Sequence, residues 1–315
     1  MSELDDPGED QRNPEAPRPR WRVAIDLALL AAAFAAVLTF ALLPPLAGEQ
    51  EEQAETPPPP QPSATDDEVR LTSAEEERIT GGLDGYLADR EGRLALSVQE
   101  LTTGITYDYQ ADREFVTGSL VKLDILALLL LQAEDEEREL TRQERELAGQ
   151  MIRYSDNNVA DTLYELIGFD TGLTEGNERI GLRDTEPGAG GVWGATTTTA
   201  ADQRNLLRSI FTNDGLLSEA SRGYARELLD EVAPEQAWGV SVAGDPETAE
   251  LKNGWVPLES DGGRWAINSA GRVAVGDQEY LIAVLSDHHL DYGSGVECVE
   301  HAVTEVIDAI ERKLD

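Results

Sequence analysis

The chain has a single cysteine among 315 residues, Cys298, so no intramolecular disulfide can form and no cysteine-rich zinc site can assemble. Cys298 is expected to be inert and packed in the last helix. Histidine is almost as scarce, and His288, His289 and His301 show no recognised ligand spacing, which argues against a metalloenzyme. Basic side chains are few: 25 Lys and Arg face 62 Asp and Glu, for a formal net charge of −37. Phosphate binding needs the opposite sign, so a nucleic-acid partner is excluded, and the acidic surface reads as a solubility device whose self-repulsion salt would screen. Lysine itself is the rarest charged residue, present only at 122, 252 and 313 beside 22 arginines. Arginine stays protonated at any accessible pH, whereas a buried lysine can lose its proton and act as a base.

What is present divides the chain into four stretches. Residues 1–22 are rich in Pro, Asp, Glu and Arg without an apolar period and read as a disordered cytoplasmic tail. Residues 23–43 are apolar except for Asp26 and Thr39, long enough for a transmembrane helix or signal anchor, and Arg18, Arg20 and Arg22 precede them. The positive-inside tendency leaves the tail in the cytoplasm and places the remainder outside, giving a single-pass membrane protein with an extracytoplasmic domain. The alternative is a signal peptide cut after Ala47, which would release a secreted protein. Residues 44–68, with Pro57 to Pro60 and many carboxylates, form a linker, and residues 69–315 form one large domain, its 40% apolar composition sufficient for a sizeable core.

Within that domain, Ser73 with Glu76 reads as a capping box for a helix over 74–88. Residues 94–99 and 105–109 read as a hairpin around a Thr-Gly turn. Residues 120–131 are apolar except for Lys122 and Asp124, which predicts a helix buried on most sides. Thr141 and Glu144 cap another helix that stops near Tyr154, and Val159, Leu163, Leu166 and Ile167 continue at helical spacing after a break at 155–157. The glycines of 169–195 predict a loop, and Thr199 caps a helix over 200–211. Residues 265–275 and 279–286 read as strands, and Val299, Val303, Val306 and Ile310 stripe a final helix. The order predicts an α+β fold, an antiparallel sheet with a helical insertion.

Three short patterns carry the chemistry. Ser119 begins the buried helix and Lys122 lies one turn later on the same face, where a desolvated amine can take the hydroxyl proton as the oxygen attacks an acyl carbon. A capping serine followed by a snorkelling lysine would have the same spacing but not such apolar surroundings. Ser155-Asp156-Asn157 lies between two helices, where polar side chains often merely cap; near Ser119 its hydroxyl would relay a proton and Asn157 bind a substrate amide. Lys252-Asn253-Gly254 reads as a turn or, on a strand edge, as a cation near a substrate carboxylate beside a glycine that admits close backbone approach.

Together and in this order the patterns resemble the SxxK, SDN and KTG motifs of class A β-lactamases and penicillin-binding proteins, over about residues 70–315. The resemblance implies an antiparallel sheet flanked by N- and C-terminal helices with a helical insertion domain. It implies Ser119 as acylated nucleophile, Lys122 as its base, Ser155 as proton shuttle, and Asn157, Lys252, Asn253, Gly254 and Trp255 as substrate-binding residues. The amides of Ser119 and Trp255 would form the oxyanion hole. Glu186, followed by Pro187, is the candidate for the residue that positions a deacylating water. The chain departs from the pattern in its short spacing from Ser119 to Ser155, in Asn253 where Thr is usual, and in Gly190 where an Asn would follow Glu186.

The reading that follows is an exported serine hydrolase acting on a β-lactam or another amide or ester, including a peptidoglycan-derived one, as a monomer without cofactor or metal. A non-hydrolysing penicillin-binding or cell-wall-binding module of the same fold is the alternative. A Ser-His-Asp hydrolase built on His288 or His289 lacks a GxSxG elbow, since Ser241 has Ala243 where the second glycine belongs.

Overall fold

The computed structural model describes residues 69–314. The tail, the apolar segment over 23–43, the alternative cut after Ala47 and the linker over 44–68 lie outside the described residues. Among the described residues no helix is long and apolar enough to cross a membrane.

Five antiparallel strands form the main sheet in the order β2-β1-β7-β6-β5, with β1 at Arg93–Glu100, β2 at Thr106–Tyr109, β5 at Glu250–Leu258, β6 at Arg264–Val275 and β7 at Gln278–His289. Both faces are covered, and the strand alternation divides the apolar side chains between them. Tyr280, Ile282 and Val284 of β7 pack with α1 (Ser73–Ala88) and α8 (Tyr292–Leu314), while Leu281, Ala283 and Leu285 face the helical insertion. A slip of one residue would exchange the two sets, so the two cores fix the register.

The insertion is built on α2 (Lys122–Asp135), whose residues from Leu123 to Leu131 are all at most 4% exposed. Truncating any one of its leucines to alanine would cost about 2–5 kcal/mol. Around it lie α3 (Arg142–Arg153), α4 (Asn157–Leu166), α5 (Phe169–Ile180), α6 (Ala200–Phe211) and α7 (Glu219–Asp230). A short pair, β3 (Glu114–Val116) with β4 (Thr197–Thr199), ties the entrance of α2 to that of α6. This is the expected antiparallel sheet with flanking terminal helices and a helical insertion.

Two local expectations need correction. The capping box of α1 is Thr72 with Glu75, one residue earlier than Ser73 with Glu76, because the Thr72 side chain accepts the Glu75 amide while Glu75 takes the Thr72 amide. The stretch 169–195 is not all loop, since α5 occupies its first half. Its glycines serve close packing: a Cβ at Gly176 would sit 2.5 Å from Leu128 Cδ2, and one at Gly172 would sit 1.7 Å from the Ile167 carbonyl oxygen. Glycine's intrinsic helix penalty, about 1 kcal/mol each, is offset by the approach of Gly176 to α2, by that of Gly172 to the end of α4, and by burial of Leu173. The capping box at Thr141 and the Thr199 cap of α6 agree with the sequence reading.

Candidate active site

Ser119 sits on a single 3-10 turn, Gly118–Val121, between β3 and α2. The turn is pressed against β5, the edge strand. A Cβ at Gly118, whose φ is +54°, would lie 3.1 Å from the Trp255 amide nitrogen, and a Cβ at Gly254 would lie 2.2 Å from the Thr117 carbonyl oxygen. Glycine at both positions therefore lets two backbones meet where a side chain would separate them. Asn268 of β6 fastens the turn from below, donating through Nδ2 to the carbonyls of Val116 (2.9 Å) and Thr117 (3.0 Å) and accepting the Ser286 amide at 3.1 Å.

Lys122 is fully buried at the head of α2 and its amine meets four oxygens. It lies 2.6 Å from the Ser155 carbonyl and 2.7 Å from Asn157 Oδ1, which can only accept. It lies 3.1 Å from both the Ser119 and Ser155 hydroxyls, each of which can also donate. In a neutral amine two N–H groups can satisfy the two carbonyl-type acceptors, which leaves the lone-pair position for the hydroxyls. A neutral amine there presents its lone pair to a hydroxyl proton. Burial pulls the Lys122 ammonium down to a pKa of about 8, against the opposing charges of Asp156 and Asp161.

Ser155 precedes α4 in a left-handed conformation, φ +54°, uncommon for a residue with a Cβ. That twist turns both its carbonyl and its hydroxyl toward Lys122, and the Asp156 carboxylate holds the helix entrance by accepting the Asn158 amide at 2.8 Å. Lys252 of β5 reaches the same hydroxyl at 3.1 Å and donates to the Asn253 carbonyl at 2.7 Å. It is fully buried with no carboxylate paired to it among the described residues, and burial, reinforced by the nearby Lys122, pushes its ammonium well below the usual lysine range.

The structure thus brings together Ser119, Lys122, Ser155, Asn157 and Lys252, with Gly254 and the Trp255 main chain against the Ser119 turn. Asn253 is adjacent, but its side chain is 1% exposed and its Nδ2 is committed to the carbonyls of Gln236 (2.7 Å) and Trp238 (3.0 Å). Glu186 is not drawn into this network. Its backbone pairs with Thr197, and its exposed carboxylate has no hydrogen-bond partner among the described residues. No histidine is bonded to Ser119 among the described residues: His288 lies 2.6 Å from Asp261, and His289 is buried against Gly92 and Gly295. Ser241 donates to the Ala237 carbonyl at 3.2 Å. Cys298 is buried in α8, its thiol pushed up to about 11.

Two contributors escaped the sequence reading. Asn268 had a visible signal, an amide inside an otherwise apolar strand run. Trp193, in the glycine-rich segment after Pro187, had none; its ring centre lies 4.9 Å from the Lys122 amine and its indole N–H donates to Asp161 at 2.6 Å.

The fold and site can be set beside known proteins. Over 216 residues the chain is 23% identical to LppW of Mycobacterium tuberculosis, whose name proposes a lipoprotein, covering 67% of this chain and 68% of that one. Among solved structures, PBP-A is similar at a TM-score of 0.65 and 18% identity, over 77% of this chain and 97% of that one. The TLA-1 extended-spectrum β-lactamase is similar at a TM-score of 0.66 and 15% identity, over 75% and 99%. A class A β-lactamase from Bacteroides cellulosilyticus gives 0.65 and 16%, over 76% and 99%. A sequence model described as the Beta-lactamase enzyme family matches residues 142–310, a span that contains Ser155–Asn157 and Lys252–Gly254 and begins after the Ser119 turn that the fold delivers to them. With more than half of its length matched, the chain belongs to the β-lactamase enzyme family.

Proposed function

We propose that the protein is an acyl-transfer enzyme in which Ser119 attacks an amide or ester carbonyl, β-lactams included, with Lys122 as the base. The observation that carries this reading is the buried Lys122 amine 3.1 Å from the Ser119 hydroxyl, with its two carbonyl-type acceptors already satisfied. In the first step the Ser119 proton passes to Lys122, the Oγ–C bond forms, and the carbonyl electron pair moves onto oxygen. The Ser119 and Trp255 amides are the proposed donors to that oxyanion. As the C–N bond breaks, the proton returns from Lys122 through the Ser155 hydroxyl to the leaving nitrogen, leaving an ester on Ser119.

Asn157, whose Oδ1 already accepts from the Lys122 amine, would bind a substrate amide. A substrate carboxylate would supply the counter-charge that Lys252 lacks and draw a proton onto it, so anionic substrates are favoured. Gly254 keeps the strand edge close enough for main-chain contact, while Asn253 acts by holding β5 rather than through a free side chain.

Deacylation is the slow step in this reading. Glu186, the candidate water-positioning group, is exposed and makes no hydrogen bond to the Ser119–Lys122 network among the described residues, which favours a long-lived acyl-enzyme and a penicillin-binding module with residual turnover. A variant of the structurally similar PBP-A is described as an acyl-enzyme complex with penicillin G, which is the state expected here. The N-terminal segment, read as a membrane anchor, would place the domain outside the cytoplasm where peptidoglycan-derived substrates occur. A fluorescent penicillin should label the protein covalently, and Ser119→Ala should abolish the signal; undiminished labelling of that variant would reject Ser119 as nucleophile.

A further inference from the structure

The segment from Gly188 to Gly194 places an indole on the one amine that the acyl-transfer reading needs. The chain after Pro187 coils tightly: a Cβ at Gly188 would lie 2.3 Å from the Val192 carbonyl oxygen, and Gly190 and Gly191 both take φ near the left-handed region, +76° and +78°. A residue with a Cβ would strain at either of the latter two positions, and without that backbone path the coil could not return Trp193 to the site. The half-buried Trp193 ring then stands 4.9 Å from the Lys122 amine. Asp161 holds it there, accepting the indole N–H at 2.6 Å.

Asp161 and Asn157 are four residues apart on α4 and so share one face of the helix. Asn157 takes the amine at 2.7 Å while Asp161 takes the ring that covers it. One helix face therefore sets the spacing between the base and its cover. The charged groups around the amine are Asp156 and Asp161 from α4 and Lys252 from β5. The remaining side of the amine is met by hydroxyls, carbonyl-type oxygens and this indole.

We propose that Trp193, latched by Asp161, is the solvent-excluding wall of the Lys122 site and thereby a positioning residue for acyl transfer. The inference rests on the reading of Lys122 as the base, but its test does not. A ring at this distance acts on the amine in two opposing ways. Its π face favours the ammonium, and its bulk keeps out the water that would solvate that ammonium. Burial is the largest influence on Lys122 and lowers its pKa to about 8. On this proposal the ring's share of that burial outweighs its π attraction.

Three lysines in the whole chain make the experiment direct, since ε-carbon labelling yields signals only from Lys122, Lys252 and Lys313. The pH titration of those signals is compared in wild type, Trp193→Ala, Trp193→Gln and Trp193→Phe. Opening the wall with Ala or Gln is expected to raise the Lys122 midpoint by about one pH unit, a tenfold gain in proton affinity. Phe, which restores apolar bulk, is expected to keep it near the wild-type value, and Lys313 on α8 serves as the control for an intact fold. A Lys122 midpoint that stays put or falls in whichever of the two open variants retains the Lys313 signal overturns the proposal. Failure of wild type to react with a penicillin would instead remove the acyl-transfer reading, and the titration would still decide the role of Trp193.

Discussion

Lys252 reaches the Ser155 hydroxyl at 3.1 Å from a strand 97 residues further along the chain. The contact joins the sheet to the helical insertion at the point where Lys122 touches the same oxygen. Lys252 is fully buried and unpaired with any carboxylate among the described residues, and burial together with the nearby Lys122 favours its neutral form. Arginine cannot take that form. Lys252→Arg is expected to destabilise the domain by roughly 3 kcal/mol, as an uncompensated buried charge does, and to lower the thermal midpoint by several degrees in calorimetry.

The rate of acylation should follow the neutral fraction of Lys122. Since burial lowers its pKa from the ordinary lysine value to about 8, the rate is expected to rise with pH, about tenfold per unit below 7, and to level off above 8. Stopped-flow measurement of β-lactam acylation from pH 5 to 10 checks this. A limb centred near 10 would mean that the amine is solvated as in a free lysine.

Lysine scarcity drew attention to two of the three motifs, whereas Ser155-Asp156-Asn157, which alone reads as a helix cap, became legible only through its order with them. The sheet, the terminal helices and most helix entrances were legible from alternation, apolar stripes and capping residues such as Thr141 and Thr199. Helix α5 was not, because glycine counts against helix locally while the gain at Gly176 comes from Leu128, far away in sequence. Nor could the sequence show that the Asn253 amide is spent on the carbonyls of Gln236 and Trp238, or that an indole from the Gly-rich segment covers Lys122. Those are tertiary contacts between stretches without mutual periodicity.

Asn268 holds the Ser119 turn through two carbonyls that would otherwise be left without these donors. Asn268→Ala is expected to cost about 2–3 kcal/mol and to slow penicillin labelling by more than tenfold. Asn268→Asp, which cannot donate when ionised, should behave like alanine. Chemical denaturation paired with labelling rates checks both, and a labelling rate that survives the loss of stability would separate the turn from the chemistry.

Asp124 lies inside α2, fully buried, with Oδ1 lacking a partner among the described residues and Oδ2 at 3.5 Å from Gln203 Nε2. Burial pushes its carboxyl up to about 7. The folded state therefore holds a proton that the unfolded chain releases near pH 4, and stability from this group falls as pH rises from about 4 to 7. Asp124→Asn is expected to raise the thermal midpoint at pH 8 and to have little effect at pH 4, a difference that melts at the two pH values would show.

The central claim is that Ser119, with its proton taken by Lys122, forms a covalent and slowly released acyl-enzyme. Intact-mass spectrometry over time after addition of a β-lactam, followed by peptide mapping, tests it most directly. The expected result is a gain of the whole β-lactam mass on the peptide carrying Ser119, persisting for many minutes and absent from Ser119→Ala. A chain that stays unmodified while the β-lactam remains intact, or an adduct mapped to another residue, would contradict it.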